Sequence, residues 1–162
     1  MRQDSHKHAE RGNAIIEVSL MLPWILFLFV GVLDFGFYSY AAICTQNAAR
    51  VAALANAYSS SAVSDTPGAC TIVLQEMNAL PNAQTLTSCT SGACPGTPGT
   101  VNAAQPISVI ACPIVGPDGV SAAAITVTYL SIPMIPIPGV VTGQLTITRT
   151  AEAPVMNNTP IS

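Results

Sequence analysis

Residues 11–33, RGNAIIEVSLMLPWILFLFVGVL, decide the architecture of this chain. From Val18 to Leu33 sixteen residues carry no charge. As a helix they cover about 24 Å, short of the ~30 Å hydrocarbon core of a bilayer. The deficit is made up downstream, because Asp34 is followed by the uncharged FGFYSYAAIC of residues 35–44. One tilted helix can therefore span a membrane with Asp34 near a boundary. Upstream lies a short leader that holds Arg2, Lys7 and Arg11 and both histidines, His6 and His8.

Charge is spread unevenly over the rest of the 162 residues, of which half are hydrophobic and 8% charged. From Asn13 onward only Arg50 and Arg149 are basic, against Glu17, Asp34, Asp65, Glu76, Asp118 and Glu152, which leaves a formal −4. A nucleic-acid partner is disfavoured, since phosphate binding needs a basic surface. Three basic residues precede the apolar run and only Arg50 soon follows it, so the positive-inside rule keeps the N-terminus cytoplasmic. Four of five cysteines lie between Cys70 and Cys112. Such heavy use in a small domain points to an oxidising compartment beyond the membrane, which agrees with that orientation.

A basic segment before an apolar core also begins an ordinary secretory signal, here with loose cleavage sites near Ala41. Two residues argue otherwise. Gly12 stands before the apolar run, and a lone carboxylate, Glu17, lies five residues beyond it. A carboxylate at the edge of a membrane helix is costly and calls for a specific partner. If the bond after Gly12 is cut, Asn13 gains a free ammonium group one helical turn from Glu17, and the two can pair within or between subunits. The plainer reading is a loop glycine followed by a first-turn acid that suits the helix dipole.

RGNAIIEVSLMLP resembles the prepilin-peptidase site of type IV pilins and, more closely, the start of TadE-like pilus-assembly proteins. Asp34-Phe35-Gly36, the run Gln46-Asn47-Ala48-Ala49-Arg50-Val51-Ala52-Ala53, and the C-terminal ITVTY and QLTITRTAE are also similar to that family. The resemblance is strong over 11–54, weaker over 125–152 and absent between. It implies a cytoplasmic basic leader, 1–12, removed by a membrane aspartyl peptidase at Gly12-Asn13. It also implies a pilin-like transmembrane and assembly helix, 13–58, kept in the bacterial inner membrane or passed into a pilus, with the remainder, 59–162, periplasmic. The partners it implies are the prepilin peptidase, the assembly platform, other pilins or pseudopilins, and membrane lipid.

Within the helix Pro23 removes one backbone hydrogen bond, so a local kink or melted turn is predicted; a membrane helix tolerates this where neighbours satisfy the freed carbonyl. Glu17, Pro23 and Asp34 are the candidate assembly residues, Asp34 serving equally well as a solvated acid at headgroup level. Gly31 and Gly36, then Ala49, Ala53 and Ala57 at i, i+4 spacing, permit close approach of another helix. The alanines could equally seat a small domain on its own stalk.

Beyond the helix the pattern predicts an α+β domain of one amphipathic helix and a three-stranded antiparallel sheet. Residues 67–80 place Ile72, Val73, Met77 and Leu80 on one face, with Pro67 suited to the first turn. Residues 81–105 read as a loose loop that needs stapling, and segments near 107–112, 123–130 and 144–152 read as strands. Pro133, Pro136 and Pro138 exclude a central strand from the link between the last two, leaving Met134, Ile135 and Ile137 as an apolar flap over the sheet or a contact surface. Cys70, Cys89, Cys94 and Cys112 permit three pairings; proximity favours Cys89–Cys94 with Cys70–Cys112. A four-cysteine zinc site is the rival. Cys44, on the helix, reads as a small core residue or an intermolecular bridge.

An enzyme is disfavoured. The region after Gly12 has no histidine and no lysine, and its carboxylates outside the long helix fall in separate segments, so the usual general bases are missing. No cofactor or metal is called for. The reading that remains is a minor pilin or pseudopilin that supports pilus biogenesis and cell adhesion; a major filament subunit and a membrane-tethered binding module are the alternatives.

Overall fold

The computed structural model describes residues 4–94, 97–116, 119–135 and 143–156, with side chains from Ile15 onward. Pro136, Ile137 and Pro138 of the flap, and Asp118, lie outside the described residues. Contacts divide the chain into two units, Met1–Phe37 and Tyr38–Ser162.

A single helix, α1, runs Asp4–Asn56. Its start lies upstream of Asn13, in a stretch whose alanine, glutamate and arginine are strong helix formers. It also runs through Pro23 with no melted turn. The lost bond is the one to the Ser19 carbonyl, four residues back. Ser19 itself donates its Oγ to the Ile15 carbonyl at 2.8 Å.

In the second unit, α2 spans Thr66–Glu76. Asp65 caps it by accepting the Gly68 N–H at 3.0 Å, and Pro67 occupies the first turn, where its missing N–H costs nothing. The helix ends earlier than the apolar pattern, and Met77, Leu80 and Ala83 continue its buried face through a series of turns.

Four strands follow: β1 Thr90–Ser91, β2 Ile107–Val115, β3 Ser121–Leu130 and β4 Thr146–Pro154, in the order β1-β2-β3-β4. The three longer strands are antiparallel as predicted. The sheet is mixed and has one strand more than predicted, because β1 pairs parallel to β2 through Thr90↔Ser108 and Ser91↔Val109. At the β2–β3 turn Gly119 has φ +77°, a conformation natural to glycine.

One face of the sheet carries the rows Ile107/Tyr129/Ile147, Val109/Val127/Arg149 and Ala111/Ile125/Ala151. Apart from Arg149 these residues are buried, in one cluster with Val73, Met77 and Leu80 and with Ala48, Ala49, Ala52 and Ala53 of α1. The opposite face is hydroxyl-rich, with Thr126 bonded to Thr150 at 2.9 Å and Thr128 to Thr148 at 3.1 Å. Met134 of the flap is buried while Ile135 is exposed.

The disulfides are Cys70–Cys89 and Cys94–Cys112, with Cα separations of 5.9 and 5.7 Å. This corrects the Cys89–Cys94 and Cys70–Cys112 pairing and removes the zinc alternative. Cys89 and Cys94 are close in sequence, but β1 lies between them and extended chain carries them apart. Continuing the parallel register three residues past Ser91↔Val109 sets Cys94 opposite Cys112. Each bridge thus ties one end of the β1 segment to a regular element, α2 or β2. Gly99 closes the same loop: a Cβ there would sit 2.6 Å from the Ser91 carbonyl oxygen.

Candidate assembly helix and processing site

In the first unit the candidate functional residues lie on α1 alone. Ile15 through Phe29 are all exposed, including Leu20, Trp24, Phe27 and Phe29. The most apolar 18-residue window of the candidate span Ile15–Asn56 has no share buried. Each such side chain gains about 1.5–3 kcal/mol when removed from water, so this surface demands lipid or neighbouring helices. It is long and apolar enough to cross a membrane once.

Gly12 and Asn13 both fall inside α1, and Glu17 is exposed on it. Helical spacing puts positions 13 and 17 on one face, one turn apart. Pro23 is exposed within the continuous helix. Asp34 is half-buried, and its Oδ2 is buried without a hydrogen-bond partner. An unpaired carboxylate oxygen in an apolar setting is costly. Around Gly31 and Gly36 a Cβ would meet nothing within 4 Å, so both notches stand open. No bond joins Glu17, Pro23 and Asp34; they share only the helix.

The second unit uses α1 differently. Ala49, Ala53 and Ala57 of the small-residue ridge are buried in this chain's own core. Thr45 is buried as well, donating Oγ1 to the Ala41 carbonyl at 2.8 Å. Asn56 Nδ2 donates to the Asp65 carbonyl at 3.1 Å, and the Met156 N–H to the Ala57 carbonyl at 2.9 Å. Cys44 is a free thiol, half-buried at the edge of the cluster. Arg50 is exposed.

Two polar features of the second unit stand out only in the fold, and the first of them escaped the sequence reading. Tyr129 is fully buried and donates its hydroxyl to Asn82 Oδ1 at 2.5 Å, while Asn82 Nδ2 donates to the Leu130 carbonyl at 2.9 Å. Burial pushes the Tyr129 phenol up to about 12, only partly opposed by the Asn82 hydrogen bond. The other is Arg149, which the strand register turns onto the apolar face of the sheet. The alternation of Leu145, Ile147 and Arg149 with threonines in QLTITRTAE already sets it on one side of the strand with Ile147.

Residues 12–54 match the family described as TadE-like protein, a match that covers α1 from Gly12 to Leu54 and ends before α2. No curated protein and no solved structure matches the chain. The likeness to the TadE-like family is thus confined to the long N-terminal helix.

Proposed function

With that helix as premise, we propose that the chain is a minor pilin or pseudopilin of a Tad-type pilus, processed after Gly12 and assembled through α1. The observation that carries this reading is the bare apolar surface from Ile15 to Phe29, led by a basic segment and marked by one carboxylate, Glu17. Cleavage after Gly12 places a new ammonium on the Glu17 face of the helix, where the pair can register one subunit against the next. The N-terminus is cytoplasmic, the disulfide-bonded domain periplasmic, and the prepilin peptidase, the assembly platform and other pilins are the partners. The role is structural.

The test is the intact mass of the protein made with and without a prepilin peptidase. Loss of residues 1–12 is expected. Unchanged mass, or a cut near residue 42, would overturn the proposal. Gly12→Leu should block processing, while Glu17→Ala should be processed but fail to assemble; normal assembly of Glu17→Ala would refute the register role. Electron microscopy of labelled protein separates the pilus reading, with label at fibre tips or bases, from a tethered binding module spread evenly over the membrane.

A further inference from the structure

Arg149 lies on the apolar face of β4, between buried Ile147 and Ala151 and in one row with Val109 and Val127, both wholly buried. Its Nη1 donates to the carbonyl of its own neighbour Thr148 at 3.1 Å, and no described carboxylate pairs with it. The guanidinium carries five donors, so most of its capacity is unused. It borders an open hollow of about 260 Å³ whose other walls are Ala42, Ile43, Gln46 and Asn47 of α1. The Gln46 and Asn47 carboxamides have no side-chain hydrogen bond to any described residue.

An inward-pointing charge on an edge strand also discourages edge-to-edge pairing. That purpose needs neither a hollow nor two further free amides beside it. A planar fork flanked by carboxamide N–H donors recognises an oxyanion, and arginine is favoured for phosphate. The surroundings choose among oxyanions. A crossing of about 20 residues that starts at Val18 ends at Phe37, and Ala42 is only five residues, ~8 Å of helix, further on. Ile43 is 63% exposed beside the hollow, and Tyr38 and Tyr40 precede it as interfacial aromatics do. The long arginine side chain can extend its head toward the headgroup layer from an apolar footing.

We propose that Arg149, Gln46 and Asn47 form a binding site for the phosphodiester of a membrane phospholipid. The site rests on α1 lying in a bilayer and not on cleavage after Gly12, so its failure and a failed processing test are separate results.

The experiment is native mass spectrometry of the full chain released from nanodiscs of phosphatidylglycerol, with melting and disulfide content as controls of folding. The wild-type chain should retain one phospholipid, and Arg149→Gln should lower its occupancy at least tenfold, with Arg149→Lys between. Gln46→Ala combined with Asn47→Ala, on the helix, should lower it several-fold and decides the matter if Arg149→Gln does not fold. Competition by sn-glycerol 3-phosphate supports recognition of the phosphate alone; Arg149-dependent retention without such competition supports recognition of the whole lipid. Equal retention by wild type and the variants would overturn the proposal. So would Arg149→Gln keeping the lipid but losing association with a second copy of the chain, which would make the hollow a subunit contact.

Discussion

The two stretches of α1 use opposite side-chain chemistry. From Ile15 to Leu33 it carries leucine, phenylalanine and tryptophan, and nearly all of that surface is bare. From Tyr38 to Asn56 it carries a face of alanines, and Ala41, Ala48, Ala49, Ala52 and Ala53 are buried to within 1%. Hydrophobicity alone would rank the first stretch as the better core. Size explains the inversion. Alanine lets a sheet approach a helix backbone closely, and its burial loses no side-chain entropy, whereas large side chains with nothing against them mark a surface built for a different solvent or a different molecule. The first stretch gains its stability from what it enters, the second from what it carries.

The contrast can be broken most strongly by opening the staples of the domain. Cys70→Ser with Cys89→Ser closes no 19-residue loop, and Cys94→Ser with Cys112→Ser no 18-residue loop; each pair should cost roughly 3 kcal/mol in urea unfolding. Helical circular dichroism from the first stretch, in detergent, should persist after the domain has unfolded. Next, Ala52→Leu overfills the seat and should destabilise the domain by about 1–3 kcal/mol, measured by the same titration. If it did not, the alanine face would be incidental.

A smaller effect is set by pH. An unfolded tyrosine titrates near 10, while the folded Tyr129 holds its proton to about 12. Between those values the unfolded chain binds fewer protons than the folded one, so stability is complete below pH 10 and falls as pH rises toward 12. Tyr129→Phe should flatten that part of the profile. The smallest effect belongs to the bare stretch. Leu26→Ala should change domain stability by less than about 0.5 kcal/mol while weakening retention in membranes on carbonate extraction. A large loss of domain stability would show that the first stretch is packed after all.

Long-period features were legible in the sequence. The apolar run, the amphipathic pattern of Ile72, Val73 and Met77, and the alternation in ITVTY and QLTITRTAE each extend over several residues and gave α1, α2, β3 and β4. What was hidden had no period. Thr90 and Ser91 are two polar residues whose strand exists only because β2 lies beside them, and the disulfide pairing follows from that register. The ridge Ala49, Ala53 and Ala57 was ambiguous because small residues welcome any close neighbour, and only the fold shows which one came. Of the candidate assembly residues, Glu17 and Asp34 stood out as charges in an apolar field, and Asp34 keeps an unsatisfied oxygen. Arg149 was legible as alternating with threonines on the Ile147 side of its strand, while its unused donors became visible only with the hollow around them.

The hydrogen bond from the Met156 N–H to the Ala57 carbonyl has a mechanical meaning. It fastens the chain just past β4 to the chain just past α1. A pull delivered along α1 therefore reaches the first and last described segments of the domain together. Opening the domain by a force along α1 would thus have to part this bond as well as those of the sheet.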